Sequence, residues 1–83
     1  MDLLVLQQLE KIHDELLGCI TAIEIGLDNS EQAEQHIIRY LNKLLNLANG
    51  VSELQHLSTP IQYAMETFDI EYILNELQSL LGE

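Results

Sequence analysis

No lysine or arginine follows Lys43, so the 40 residues from Leu44 to Glu83 carry no fixed positive charge. Lys11, Arg39 and Lys43 face 14 carboxylates, and the formal charge is −11. A surface of that sign is repelled by phosphate backbones and anionic lipid headgroups, which argues against direct nucleic-acid or membrane binding. It attracts basic partners instead. Cys19 is the only cysteine, so no disulfide can close within the chain, and a reducing compartment is expected. Its neighbours Gly18 and Ile20 fit a small core residue better than a reactive thiol. Tryptophan is absent and proline occurs once, at Pro60. The glycines at 18, 26, 50 and 82 are scattered, so no glycine-rich phosphate loop is present. No basic region precedes Leu3-Leu4-Val5-Leu6, and no apolar run approaches bilayer length. The expected location is the cytoplasm, or the nucleus in a eukaryote.

Against these absences, 47% of the 83 residues are hydrophobic, which opposes disorder. A chain this short buries only about 60% of its unfolded surface. Part of that apolar surface is therefore expected to meet a second chain. Residues 1–83 are read as one domain.

The dominant period is helical. Val5, Leu9, Ile12, Leu16, Cys19 and Ile23 recur at steps of three and four, and Leu6, His13, Leu17 and Ile20 widen that face. Asp2 suits the start of this helix and Gly26 its stop. Leu3 to Leu6 point in all directions on a helix, so no single intramolecular face can bury them all. Asp28-Asn29-Ser30-Glu31 reads as a turn and helix start, with Asp28 and Glu31 as a capping box and Ser30 as a competing cap. Ile37, Ile38, Leu41, Leu44, Leu45 and Ala48 form the next apolar stripe. Asn49-Gly50 either closes that helix or interrupts it, since Val51, Leu54 and Leu57 keep a helical step. In Thr59-Pro60-Ile61-Gln62, Thr59 is expected to cap, with Pro60 at the first helical position and Gln62 completing the box. Ile61, Met65 and Phe68 then give way to Ile70, Ile73, Leu77 and Leu81 on another phase, so Asp69 marks a kink or a new cap. The expected fold is a small all-α antiparallel bundle of three long segments, the last kinked, giving three to four helices.

Two histidines follow a glutamate by three residues, at Glu10 and His13 and at Glu53 and His56. Two such pairs plus two more glutamates form the ligand set of di-iron and di-manganese helical bundles, a class the chain resembles in these two motifs. The complementary inward glutamates are missing, so both pairs are read as solvated helix faces and no metal or other cofactor is expected. His36, between Glu34 and Arg39, reads as a surface or boundary residue. Phe68-Asp69-Ile70-Glu71 resembles a fragment of the third-helix region of acyl carrier proteins, which are acidic four-helix domains of similar length. Those proteins need an Asp-Ser-Leu motif, whereas this chain offers Asn29-Ser30-Glu31, and the assignment fails. Leu9 to Ile25 resembles the long first helix of all-helical chorismate mutases, whose dicarboxylate clamp needs more cations than this chain has. No nucleophilic triad is visible, and no catalytic function is expected.

The reading that remains is a non-catalytic protein-binding module: an adaptor, a chaperone-like subunit or a small inhibitor. Leu3, Leu6, Leu77 and Leu81 are its expected apolar anchors. Tyr72 joins them as an aromatic anchor, while Glu66, Glu71 and Glu76 steer a partner with a basic or apolar groove. Tyr63 and Phe68 suit core or interface packing. The alternative is an acidic DNA mimic that occupies the groove of a nucleic-acid-binding protein; a di-metal bundle ranks below both. A homodimer is expected in isolation. Light scattering at micromolar concentration should report about twice the mass of one chain; a folded monomer that survives dilution would contradict this.

Overall fold

The computed structural model describes residues 1–26 and 30–82, which form four α-helices and one short 3-10 helix. Helix α1 spans Leu3–Glu24. Asp2 is extended, and its Oδ1 accepts the Leu4 N–H at 3.2 Å, satisfying one amide that the helix start leaves without an internal partner. At the other end Gly26 takes a left-handed φ of 75°, a conformation that a Cβ disfavours. The Gly26 N–H donates to the Ile23 carbonyl, so both expected terminal signals act as such. Leu9, Ile12 and Leu16 are buried, Cys19 and Ile20 half-buried, and Ile23 exposed.

Helix α2 spans Ser30–Gly50, and the Asp28 half of the expected capping box lies outside the described residues. Its buried face is Ala33, Ile37, Leu41, Leu44 and Ala48, at steps of three and four. Gly50 is its last residue. Val51 is extended (φ −126°, ψ 114°), and Ser52–Leu57 form the 3-10 helix. The spacing of Val51, Leu54 and Leu57 is three throughout. Three residues per turn is the 3-10 repeat, so Leu54 and Leu57 eclipse one another and both are buried. An α-helix through Leu57 would have rotated that row steadily away from the core.

The 3-10 helix runs straight into α3, Ser58–Thr67. Leu57 occupies the cap position in a helical conformation and no side chain caps it, so the expected Thr59 cap is not formed. Thr59 is exposed inside the first turn, and Pro60 stands third rather than first. The preceding turn supplies continuity that a capping box would otherwise provide. Gln62 Nε2 reaches Ser58 Oγ only at 3.5 Å. Helix α3 ends at Phe68, whose φ of 60° makes it the one described non-glycine residue with positive φ. Its N–H donates to the Ala64 carbonyl at 2.7 Å. The reversal there turns the chain, and Asp69 Oδ1 accepts the Glu71 N–H at 3.2 Å as α4, Glu71–Leu80, begins. Asp69 therefore marks both the break and the new start.

Helix α2 packs against α1 on one side and against the 3-10 helix and α3 on the other; α4 closes the bundle against α1 and α3. The pairing of α1 with α2 is antiparallel: Glu15 meets Tyr40, while Gln8 shares a groove with Asn46 and Leu47. Fourteen buried residues make one core, and the buried set is leucine, isoleucine and alanine only. Leu41, fully buried on α2, should lose about 2–5 kcal/mol on Leu41→Ala. Thr59→Ala should shift stability by less than about 0.5 kcal/mol, because no cap is removed. Denaturant midpoints compare the two; a large Thr59→Ala loss would restore the side-chain cap.

Candidate protein-binding surface

An aliphatic core leaves the aromatic residues outside it. Tyr63 is 61% exposed, Tyr72 56% and Phe68 38%. They come from α3, the α3–α4 turn and α4, which places them on the outside of one short helical hairpin. Glu66, Asp69 and Glu71 are exposed on the same hairpin. Phe68 also walls a groove of about 400 Å³ with Glu31, Glu34, Gln35 and Ile38 of α2. The C-cap of α3 is what turns this ring outward. A glycine or asparagine would hold the left-handed turn more easily, yet a large aromatic stands there.

The anchors expected from the sequence do not form one patch. Leu3 is 69% exposed and Leu4 61%, at the start of α1, while Leu6 is half-buried. The Met1 amino nitrogen lies 3.6 Å from Glu53 Oε2, which sets this end beside the 3-10 helix. Phe68 lies by the first turns of α2, at the opposite end of a helix of 21 residues, roughly 30 Å long. Glu66, Glu71 and Tyr72 thus belong to one end of the bundle, and Leu3 and Leu6 to the other. Glu76 is half-buried on α4. Leu77 is fully buried, so the folded chain cannot offer it to a partner. Leu81 is half-buried and packs on the same core. Leu77 is core because α4 is only ten residues long and needs Ile73 and Leu77 to hold it to the bundle.

The histidine motifs separate as well. His13 faces a groove between α1 and α4 with Leu17, Ile20, Glu71 and Leu74, and its Nδ1 lies 3.6 Å from Asp14 Oδ1. It is half-buried rather than solvated. His56 is exposed on the 3-10 helix, as is Glu53. His36 is half-buried at the edge of α2. Among the described residues, no group of three or more histidine, cysteine, aspartate or glutamate side chains converges as a metal would require. None of the described polar or charged side chains is buried. No described helix is long and apolar enough to cross a membrane.

A feature not foreseen from the sequence is the groove of about 490 Å³ between α1 and α2, lined by Gln8, Lys11, Ile12, Tyr40, Lys43, Asn46 and Leu47. Lys43 Nζ stands 5.2 Å from the centre of the Tyr40 ring. The Tyr40 hydroxyl is hydrogen-bonded to Glu15 across the helix pair. Only the antiparallel register of the two helices reveals this cluster, because Lys11 and Lys43 are 32 residues apart in sequence.

No protein-family model, curated protein or solved structure matches this chain.

The hydrogen bond to Glu15 favours the neutral Tyr40 phenol, and partial burial and the carboxylate charge act in the same direction, so its pKa is raised. Such a group contributes stability below its unfolded value, near 10, and loses it as pH rises through the higher folded value. Tyrosinate absorbance should show a late-ionising component that disappears in Tyr40→Phe and moves to lower pH in Glu15→Gln. A titration unaltered by either substitution would contradict the Tyr40–Glu15 bond.

Proposed function

We propose that this chain is a non-catalytic protein-binding module whose partner contacts the aromatic, acidic hairpin of α3 and α4. The observation that carries the reading is the exposure of Tyr63, Phe68 and Tyr72, together with Glu66, Asp69 and Glu71, along α3, its turn and the start of α4, while the buried core contains no aromatic residue. Exposed tyrosine and phenylalanine give large contact area at low conformational cost and dominate binding energy at interfaces. The absence of any lysine or arginine from residue 44 onward leaves the surrounding carboxylates without a local strong cation. They would steer a basic partner and repel acidic ones. An adaptor, a chaperone-like subunit or a small inhibitor would each use such a surface. The exposed Leu3 and Leu4, at the far end, would support self-association when the partner is absent.

A DNA mimic would bind through its carboxylates, and salt separates the two readings. A partner captured on the wild-type chain should be lost with the double substitution Tyr63→Ala, Tyr72→Ala, which removes exposed side chains and should leave the thermal melt unchanged. Its affinity should vary only modestly with salt. A mimic making several phosphate-like contacts would instead lose about 10³-fold or more between roughly 50 mM and 200 mM salt. It would also be abolished by Glu66→Gln, Glu71→Gln and Glu76→Gln together. Steep salt dependence with the tyrosine variant still binding would overturn the proposal in favour of the mimic.

A further inference from the structure

The cations of this chain are few, and among the described residues they are not paired with carboxylates. Ion pairs among the described residues join the Met1 amine to Glu53 and His13 to Asp14; none involves Lys11, Arg39 or Lys43. With 14 carboxylates in an 83-residue chain, three cations without an ion pair among the described residues are unexpected. Two of them line the same groove. Glu15 meets Tyr40 across the antiparallel helices, and about one turn from that contact Lys11, four residues before Glu15, and Lys43, three after Tyr40, line the groove from opposite helices. Ile12, Leu47 and the Tyr40 ring give the groove apolar walls, and Gln8 and Asn46 add amide donors and acceptors. Its volume of about 490 Å³ lies within the range of small-molecule sites. Lys43 stacks over the Tyr40 ring at 5.2 Å, a contact that holds its ammonium near the groove, and Glu15 holds that ring in turn.

We infer that the groove between α1 and α2 binds a small amphipathic anion, an apolar chain or ring bearing one carboxylate, with Lys11 and Lys43 taking the head group and Ile12, Leu47 and Tyr40 taking the body. The net charge of −11 opposes the approach of any anion. At physiological salt, charges more than about 8 Å away are largely screened, so at the groove Lys11 and Lys43 are opposed chiefly by the Glu15 carboxylate that meets Tyr40. An anion without an apolar body would find little beyond two exposed lysines. A neutral apolar molecule would leave both ammonium groups unpaired. The site therefore selects for the combination. It is separate from the α3–α4 hairpin and does not depend on the protein-binding reading.

Octanoate, with octanamide as its neutral counterpart, tests the assignment by nuclear magnetic resonance titration of the ¹⁵N-labelled chain. Octanoate should shift the amides of Gln8, Lys11, Ile12, Tyr40, Lys43 and Leu47, and bind roughly tenfold more tightly than octanamide, as expected for two solvent-edged charge contacts. The double variant Lys11→Gln, Lys43→Gln should reduce octanoate to the affinity of octanamide and leave octanamide unchanged. Equal binding of both probes to the wild-type chain would overturn the inference, and this comparison needs no variant. Shifts centred on the Phe68 groove, no binding of octanoate, or full octanoate affinity in the folded double variant would overturn it as well.

Discussion

Burial of one aliphatic face of α2 is the interaction on which the rest of the bundle depends. Ile37, Leu41 and Leu44 lie between the Leu9, Ile12 and Leu16 row of α1 and the Leu54, Leu57 and Ile61 row beyond. Ala33 and Ala48, at the two ends of that face, are fully buried as well. A domain of this size is held by roughly 4–12 kcal/mol in total, so one large-to-small change on α2 removes a large share of it. Neither ten-residue helix, α3 or α4, would be stable in isolation. Each persists because Ile61 and Ala64, or Ile73 and Leu77, reach the core that α1 and α2 begin.

Charge acts in the opposite sense. With few cations and no carboxylate partner for any of them among the described residues, the acidic surface is self-repelling rather than cross-linked. Stability therefore comes from apolar burial rather than from ion pairing among the described residues. The same economy governs the aromatic residues. Leucine, isoleucine and alanine fill the narrow interior, which displaces Tyr63, Phe68 and Tyr72 to the surface. Phe68 itself takes the left-handed conformation at the end of α3.

Sequence periodicity identified the helices because each buries one stripe, and steps of three and four are the only spacing that keeps a stripe on one side. Asp2 and Gly26 were legible for a local reason: a side-chain acceptor and a permissive φ act within a few residues of themselves. Asp69 was legible for the same reason. Thr59-Pro60-Ile61-Gln62 was misleading, since a capping box is needed only where a helix starts from extended chain, and here a 3-10 turn already leads in. The uniform three-residue step of Val51, Leu54 and Leu57 was the available signal for that turn.

The sequence by itself determined an all-helical chain, an acidic exterior, the positions of its main breaks and the aliphatic rows that must be buried, all through chemistry that operates over one or two turns. Which of several apolar residues stay exposed was decided only when the helices packed, because burial depends on what stands opposite. That is why Leu77 became core while Leu3 and Leu4 remained in solvent. The same holds for the groove between α1 and α2: Lys11, Tyr40 and Lys43 are distant along the chain, and only the antiparallel register set by the α2 core brings them together.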